Sequence, residues 1–445
     1  MKNILLLGSG LSTSYLVEYL LKFCDQFNWT LNAADINEAS AIERLKNHPK
    51  GKSHKLNISD TSKTGELIEK ADVVISMLPA KMHFSVAKFC LELKKSLLTA
   101  SYVTEELKSL EKEFSNKGLS LFCELGLDPG LDHMSAMKVI NSIRSKGGKM
   151  TAFESFTGGL LAPSNEDNPW EYKFTWNPRN VVLAGQGVVK FIQEGRYKFI
   201  PYHKVFKRTE IVHIPDHGYF EGYANRDSLK YREVYGLEDV KTIYRGTFRR
   251  PGFCKSWDVF IQLGATDDSY EMEGVSEMTH RQFINSFLSY NPTDSVELKL
   301  AHYMNLEIDS DIMYRLKWLE LFTEDRIGLE KGTPAQILEH ILRKKWSINE
   351  KDKDQIVMWH KFNYELDGEH KEVQSHLVVT GVSKEKTAMA KTVGLPIAIA
   401  TKLFLRDGLG QSGLNLPVQS EIYEPILNEL QAFDIKFEER EIEIK

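Results

Sequence analysis

Several classes of protein are excluded by what this sequence lacks. Its four cysteines, Cys24, Cys90, Cys123 and Cys254, include no C-x-x-C pair. Neither a zinc ribbon nor a disulfide framework is therefore expected, and a reducing compartment is favoured. The thirteen histidines do not indicate a metal site. A net charge of −5, with both signs interspersed, argues against nucleic acid as the main partner.

Long apolar segments are also missing. No run of about 18 apolar residues occurs, and no basic, apolar leader precedes the first predicted strand, which begins almost at Met1. These absences predict a cytoplasmic protein that binds no membrane. The chain has 445 residues, which is enough for two or three domains with large cores.

The most informative segment present is residues 4–10, where an apolar run ends in the turn Gly8-Ser9-Gly10 and a helical stretch follows. Glycines at such a turn let the backbone approach a pyrophosphate, and the amides of the next helix bind its charge. The third glycine of the G-x-G-x-x-G pattern is replaced by Thr13. In the alternative interpretation, the glycines only shape a strand-to-helix turn.

A carboxylate stands at the end of the second predicted strand. Asp35 follows residues 31–34 at the distance where dinucleotide-binding folds place the acid that binds the adenosine ribose. Because aspartate at a strand end also caps helices, this residue alone is ambiguous. Together with the glycine turn, it predicts an N-terminal domain that binds a nicotinamide or flavin dinucleotide.

Strand and helix patterns alternate through the first part of the chain. Helices are predicted at 82–93 and 105–116, among others, and strands at 3–7, 31–34, 72–78, 96–101 and 119–125. This alternation predicts an α/β fold with a Rossmann-type, doubly wound parallel sheet. Ligands bind beyond the carboxyl ends of such strands. One crevice is therefore expected to be lined by residues 76–79, 101–102 and 126–130.

Later patterns suggest further domains. Asp132 is expected to cap a helix over 133–145, Thr333-Pro334-Ala335-Gln336 has the form of a capping box, and Asp367-Gly368 is a hairpin signal. A C-terminal helix over 385–406 is predicted to be interrupted at Gly394 and Pro396. The predicted organisation is a dinucleotide-binding domain at 1–130, a second α/β domain with a mixed sheet for substrate binding and dimerisation at 131–275 and 350–384, a small all-α insertion at 276–349, and C-terminal helices at 385–445.

Other polar residues have two interpretations each. The segments 225–228 and 245–250 carry arginines, which suit a polycarboxylate because guanidinium groups bind carboxylates bidentately; otherwise they are ordinary surface arginines. Asp128, in Leu-Asp-Pro-Gly, is a turn former or a catalytic acid. Ser101 and Tyr102 either pack and cap or bind a ligand. The aromatic side chains at 170, 174 and 176 are predicted to lie in a core or interface.

Taken together, the motifs resemble saccharopine dehydrogenase of the L-glutamate-forming type, also called saccharopine reductase. The resemblance covers nearly the whole chain and is strongest in Glu-Leu-Gly-Leu-Asp-Pro-Gly-Leu-Asp-His at 124–133. Its other markers are the segments 7–10, 74–79, 99–104, 169–176, 225–228, 245–249 and 388–396.

The resemblance implies an oxidoreductase of lysine metabolism that interconverts saccharopine with L-glutamate and 2-aminoadipate 6-semialdehyde by hydride transfer with a nicotinamide cofactor. It also implies a homodimer. The resemblance further implies that Tyr102 and Asp128 are the residues nearest any proton transfer. Substrate contacts are implied for Ser101, Tyr102, Asp128, Arg226, Thr247 and Arg249. Cofactor contacts are implied for Gly8, Ser9, Gly10, Leu11, Ser12, Asp35, Met77, Leu78 and Leu127.

Two departures from fungal members lead to separate expectations. Some fungal members have an arginine where this chain has Asp35, and a carboxylate there would repel a 2′-phosphate. We therefore predict NAD(H) in preference to NADP(H). Thr157 stands where the fungal motif has a cysteine, so a thiol at that position is not essential to the chemistry here.

Two other functions stay open at this point. One is a different amine-forming reductase, such as carboxynorspermidine dehydrogenase, although the full arginine segments at 225–228 and 245–249 count against it. The other is a catalytically silent NAD-binding regulator, against which the polar residues at the strand ends count.

Overall fold

The structure is a computed structural model that describes residues 1–163 and 168–443. Its internal contacts divide the chain into two units, one comprising 1–150 and 364–445 and the other 151–363. Unit 1 is therefore discontinuous in sequence, and unit 2 is inserted in it. The four-segment division given above stays a prediction.

The elements are numbered in chain order. The strands are β1 (Asn3–Leu7), β2 (Thr30–Asp35), β3 (Gly51–Lys55), β4 (Val73–Ser76), β5 (Ser96–Thr99), β6 (Ser120–Phe122), β7 (Lys149–Leu161), β8 (Val189–Gln193), β9 (Arg196–Ile200), β10 (Thr209–Ile214), β11 (Gly218–Ala224), β12 (Thr242–Arg249), β13 (Asp354–Leu366), β14 (Glu369–Thr380), β15 (Gly413–Asn415) and β16 (Glu438–Ile442). The helices are α1 (Ser14–Phe27), α2 (Glu38–Leu45), α3 (Thr61–Glu69), α4 (His83–Glu92), α5 (Glu105–Ser109), α6 (Glu111–Asn116), α7 (Leu131–Ser145), α8 (Pro178–Val182), α9 (Tyr231–Val234), α10 (Phe253–Leu263), α11 (His280–Asn285), α12 (Val296–Met304), α13 (Asp311–Trp318), α14 (Pro334–Trp346), α15 (Ala388–Asp407) and α16 (Ser420–Leu430).

Unit 1 is built on a parallel sheet in the order β15-β6-β5-β4-β1-β2-β3. The central strands β1, β4 and β5 are almost wholly buried, and β1 and β4 are mainly apolar, as expected for parallel strands covered on both faces. The strand order reverses between β1 and β4, and ligands of doubly wound sheets bind at such a switch point. The predicted sheet is therefore present, with the glycine turn at its switch point.

Strand β3 was not predicted. Its sequence, Gly-Lys-Ser-His-Lys, has no apolar residue, and the structure shows it at the edge of the sheet beside β2. A strand at this edge needs no apolar run, because part of its surface faces solvent.

The C-terminal segment completes unit 1. Strand β15 extends the sheet beside β6, and helix α15 packs along α1. The predicted interruption of this helix is wrong, because α15 is continuous through Gly394 and Pro396. Gly394 serves packing instead, since a Cβ there would lie 3.0 Å from the Ser12 carbonyl oxygen and 3.1 Å from the Leu16 amide nitrogen. This close approach places α15 against the chain that leaves the glycine turn.

Helix α15 is also long and apolar enough to cross a bilayer by length and composition alone. Its most apolar 18-residue window has a mean hydropathy of 1.4, and 83% of that window is buried inside the protein. Burial of this extent is typical of a core helix.

Two predicted local motifs in unit 1 have different outcomes. Asp367 and Gly368, with φ of 54° and 84°, form the turn between β13 and β14, as expected for a two-residue hairpin with both φ positive. The cap predicted at Asp132 is wrong. Helix α7 begins at Leu131, and the Asp132 carboxylate accepts from the Gly130 amide at 2.6 Å from within the first turn.

Unit 2 contains a mixed sheet in the order β10-β11-β12-β7-β13, with the hairpin β8-β9 joined to β12. The predicted capping box at the start of α14 is confirmed, with Thr333 and Gln336 bonded reciprocally. Trp170 is buried among Phe253, Phe260 and Trp346, and Phe174 also packs on Trp346, so both are core residues as predicted.

Candidate functional site

The glycine turn after β1 requires glycine at its first position. Gly8 has a φ of +93°, and a Cβ there would lie 2.9 Å from the Met77 carbonyl oxygen at the end of β4. The Gly8 amide donates to the Ala34 carbonyl of β2 at 2.8 Å. The turn is therefore held against both neighbouring strands, and a side chain at Gly8 would force them apart.

The rest of the turn fits a dinucleotide pyrophosphate. A Cβ at Gly10 would meet no other heavy atom of the described residues within 4 Å, so a ligand has room to reach this backbone. Ser9 is 1% exposed, yet its Oγ has no hydrogen-bond partner within the described chain. Residues Leu11–Thr13 form a 3₁₀ turn that leads into α1, and Leu11 and Ser12 are at least partly exposed there. A buried hydroxyl without a partner beside an open glycine and a helix start is a suitable cradle for an anionic group.

Asp35 bonds to the turn itself. Its Oδ2 accepts from the Ser9 amide at 2.7 Å, and its Oδ1 accepts from the Asn37 amide at 2.9 Å. Both oxygens therefore interact with main-chain dipoles that offset their charge. The carboxylate fixes the direction of the Ser9 amide within the cradle.

A buried histidine connects the ends of β4 and β5. His83 Nδ1 lies 2.9 Å from Ser76 Oγ, and its Nε2 lies 2.8 Å from Ser101 Oγ and 3.2 Å from Thr99 Oγ1. Burial lowers the pKa of His83 to about 4, so the imidazole is neutral at physiological pH. Sequence reasoning gave this histidine no role. The signal available was a set of hydroxyl residues at the ends of buried strands.

Tyr102 and Asp128 form the most direct polar pair at this edge of the sheet. The Tyr102 hydroxyl donates to Asp128 Oδ1 at 2.5 Å, and both residues are half-buried. Leu127, which precedes Asp128, is 6% exposed. A carboxylate bonded to a phenol at the carboxyl ends of the strands is suited to moving a proton to or from a ligand.

Within unit 1, the predicted residues lie around the carboxyl edge of the sheet. Gly8 approaches Met77 and Leu78, the Ser101 hydroxyl contacts His83, and Tyr102 bonds Asp128. In unit 2, the predicted residues Thr247 and Arg249 share one face of β12, because side chains two apart on a strand point the same way.

Arg249 is a buried cation held by aromatic rings. It is 5% exposed, and its guanidinium carbon lies 5.1 Å from the ring centre of Tyr172, 5.7 Å from Tyr223 and 5.2 Å from Phe253. One Nη donates to the Phe248 carbonyl at 2.9 Å, and the buried Nε has no acceptor among the residues that the structure describes. Within the described chain, no carboxylate pairs with this guanidinium. Burying a charge without an opposite charge is costly, so the arrangement suits an anionic ligand.

Other polar residues of unit 2 lie on the same sheet or directly after one of its strands. Thr157, in register with Thr247 on the adjacent strand, is 6% exposed, and its Oγ1 has no partner among the residues described. Thr247 Oγ1 accepts from the side-chain nitrogen Nδ2 of Asn225 at 2.9 Å. Arg226 is exposed, with a left-handed φ of 48°. Sequence reasoning missed Tyr172 and Tyr223 as neighbours of Arg249, because they come from distant segments.

Comparison with known proteins decides the family. The model of the saccharopine dehydrogenase NADP binding domain matches residues 4–121, and that of the saccharopine dehydrogenase C-terminal domain matches residues 126–435. The chain belongs to the saccharopine dehydrogenase family. The predicted family is confirmed.

Curated relatives of this family member are similar over nearly its whole length. Rat alpha-aminoadipic semialdehyde synthase, named as mitochondrial, is 33% identical over 98% of this chain and 47% of its own length. The chain thus spans about half the length of that relative. The Saccharomyces cerevisiae saccharopine dehydrogenase [NADP(+), L-glutamate-forming] is 31% identical over 97% of both chains.

Solved structures confirm the predicted fold class. Apo saccharopine dehydrogenase (L-Glu forming) from Saccharomyces cerevisiae superposes with a TM-score of 0.89 over 100% of both chains at 30% identity. Homospermidine synthase from Legionella pneumophila has a TM-score of 0.58 at 10% identity, over 99% of this chain and 91% of that one. The second likeness shows the fold alone.

The prediction of NAD in preference to NADP is wrong. The matching domain model is named NADP binding, and the fungal relatives, including that of Pyricularia oryzae, are named NADP(+)-dependent. The prediction of NAD required the Asp35 carboxylate to be a free negative charge directed at the ribose. In the structure its two oxygens accept from the Ser9 and Asn37 amides, so the residue shapes the turn.

Proposed function

We propose that this protein oxidises saccharopine with NADP⁺ to L-glutamate and 2-aminoadipate 6-semialdehyde, and catalyses the reverse reaction. The observation that carries the proposal is the buried Arg249 guanidinium, which has no carboxylate partner in the described chain. Saccharopine has three carboxylates, and guanidinium groups bind carboxylates strongly when both are desolvated. The family membership and the cradle at the glycine turn support the same reaction.

The proposed reaction is oxidation of a secondary amine followed by hydrolysis. A C–H bond breaks and its electron pair leaves as a hydride, the N–H proton goes to a base, and a C=N bond forms. Water then adds to the carbon of the C=N bond. Cleavage of the C–N bond releases glutamate, which keeps the nitrogen as its amino group, and leaves the aldehyde. NADP⁺, when bound, accepts the hydride at its nicotinamide ring.

The residues divide the work as follows. Tyr102 and Asp128 exchange protons with the amine and with the attacking water, since the hydrogen bond of 2.5 Å between them places a donor and an acceptor side by side at the strand ends. Arg249 and Arg226 hold carboxylates, and Thr247 and Ser101 donate to the substrate. The cofactor contacts are assigned to Gly8, Ser9, Gly10, Leu11, Ser12, Asp35, Met77, Leu78 and Leu127.

Assembly and location are proposed by family likeness. The protein is proposed to act as a homodimer on a small-molecule substrate, in the cytoplasm, without nucleic acid or membrane. The rat relative is named as mitochondrial, so fractionation of cells expressing the native gene is the check on location.

The test of the reaction is absorbance at the reduced-nicotinamide band with purified protein. We expect growth of the signal with NADP⁺ that depends on saccharopine, and slower growth with NAD⁺. Signal with carboxynorspermidine and none with saccharopine would reassign the substrate. Silence with both substrates, in protein that still binds NADP(H), would contradict the proposal and favour a regulator.

Replacing Asp35 by alanine is expected to weaken NADP⁺ binding. The loss of the two amide bonds frees the Ser9 amide, so we expect KM for NADP⁺ to rise about 10-fold, with kcat within about 2-fold of the unaltered protein. Steady-state kinetics with varied NADP⁺ measures this.

The matched control is Asp60→Ala. Asp60 caps α3 by accepting from the Lys63 amide at 3.1 Å, and its loss should lower stability without changing KM. A fall in KM for NADP⁺ with Asp35→Ala would mean that repulsion of the 2′-phosphate outweighs the support of the turn.

A further inference from the structure

A buried carboxylate holds the loop that carries Tyr102. Glu124 is 2% exposed, and its amide donates to the Ser101 carbonyl at 3.0 Å. Its Oε1 accepts from the Val103 amide, also at 3.0 Å. These two bonds lie on either side of Tyr102 in the chain. One residue therefore fixes both peptide neighbours of the phenol.

The same carboxylate is connected to the loop that carries Asp128. Glu124 Oε2 lies 2.7 Å from His133 Nε2, at ion-pair distance, and His133 is fully buried. His133 Nδ1 lies 3.5 Å from Asp132 Oδ2. Asp132 in turn accepts from the Gly130 amide through Oδ1 at 2.6 Å, and its own amide donates to the Leu127 carbonyl at 3.1 Å.

These contacts form a closed ring around the reactive pair. The ring runs from Tyr102 through Glu124, His133 and Asp132 to the loop of Asp128, and the bond from Tyr102 to Asp128 completes it. Replacing a buried cluster of charged residues by apolar residues of similar volume often leaves a protein at least as stable, because burying several charges is costly. Glu124 also has a left-handed φ of 63°, which is unfavourable for a residue with a side chain. The ring therefore fixes the positions of Tyr102 and Asp128 at some cost in the free energy of folding.

We propose that Glu124 and His133 are positioning residues that set the distance between the Tyr102 hydroxyl and the Asp128 carboxylate. This assignment rests on the proposed function for its kinetic consequences, but its geometric consequence stands without it. Glu124 acts by its length, since its carboxylate must reach Val103 and His133 while its backbone holds Ser101.

The test distinguishes the effect of side-chain length at position 124 from the effect of its charge. Glu124→Asp keeps the charge and tolerates a left-handed φ, but it is one methylene too short to reach both Val103 and His133. Glu124→Gln keeps the length and an acceptor for the Val103 amide, but removes the charge. We expect kcat to fall at least about 20-fold in the aspartate variant and less than about 5-fold in the glutamine variant, with KM for NADP⁺ unchanged in both.

The matched control is Glu429→Asp. Glu429 is a half-buried carboxylate of another cluster in unit 1, where it bonds the Tyr19 hydroxyl and the Lys402 ammonium. The same shortening there should lower the melting temperature and leave kcat unchanged. A kcat for Glu124→Asp equal to that of the unaltered protein, or a loss no larger than for Glu429→Asp, would overturn the proposal.

A second readout does not depend on activity. With 3-fluorotyrosine at position 102, the ¹⁹F resonance in Glu124→Asp should move or broaden toward that of Asp128→Asn, and in Glu124→Gln it should stay close to the unaltered protein. An unmoved resonance in Glu124→Asp contradicts the positioning role whether or not saccharopine is the substrate. Absence of saccharopine oxidation by the unaltered protein contradicts the proposed function alone.

Discussion

Replacing Arg249 by methionine is expected to raise KM for saccharopine about 100-fold. The guanidinium is buried among Tyr172, Tyr223 and Phe253, and a substrate carboxylate would give it the opposite charge that no described residue supplies. Loss of one partner of a desolvated, hydrogen-bonded charge pair costs about 3 kcal/mol, which corresponds to a change of roughly this size. KM for NADP⁺ should not change. Steady-state kinetics with each substrate varied in turn measures both constants.

In contrast to its large change in KM, the Arg249→Met variant is expected to change little in thermal stability. Because no carboxylate of the described residues pairs with the buried charge, its removal offsets the lost ring contacts, and the melting temperature should stay within about 3 °C. Arg250→Met is the matched control. Arg250 is the next residue, and it is also buried, but it donates to Gln355 at 3.1 Å. That variant should be less stable and keep its KM. A large loss of stability in Arg249→Met with KM unchanged would make Arg249 a structural residue.

Replacing Asp128 by asparagine is expected to lower kcat by about 10²- to 10⁴-fold. The amide has the shape of the carboxylate but cannot accept a proton, and general acid–base catalysis contributes an effect of about this size. KM for NADP⁺ should stay within about 2-fold, since the carboxylate is not assigned a cofactor contact. Single-turnover kinetics with enzyme in excess separates the chemical step from product release.

A double-mutant cycle shows whether Tyr102 and Asp128 act as one unit. If they do, Tyr102→Phe combined with Asp128→Asn should lose little more activity than Asp128→Asn alone. Asp72→Asn is the control. Asp72 accepts from the Asn3 amide at the start of β1, at the other end of the strands. Full activity in Asp128→Asn, or fully additive losses in the double variant, would remove these residues from proton transfer.

The fold was predictable where burial leaves a pattern in the sequence. Strands β1 and β4 carry runs of three or more apolar residues, and β5 carries a buried Leu-Leu pair, because helices cover both faces of a parallel sheet. Strand β3 has no such run, because its place at the edge does not require one. The predicted helix over 105–116 is two helices, α5 and α6, and they meet at Leu110, whose amide bonds to Leu107 in a tighter turn. Apolar spacing does not distinguish that turn from α-helix.

The site was predictable where its residues are close in sequence. The glycine turn and Asp35 belong to one strand-turn-helix-strand unit, and the structure places them next to each other at the carboxyl edge of the sheet. The surroundings of Arg249 were not predictable, because Tyr172 and Tyr223 reach it from separate parts of unit 2. The cofactor was mispredicted because the sequence contains the charge of Asp35 but not the hydrogen bonds that its oxygens accept.

The division of unit 1 has a consequence for synthesis on the ribosome. The first 150 residues emerge without α15 and β15, so the face of α1 that α15 covers, and the edge of β6 that β15 pairs with, stay open to water. Gly394, whose backbone packs closely on the start of α1, is translated 380 residues after Ser14, where that helix begins. Contacts so distant in sequence are slow to form. The N-terminal part of unit 1 therefore stays incomplete while unit 2 is translated, and apolar surface exposed for that time favours aggregation.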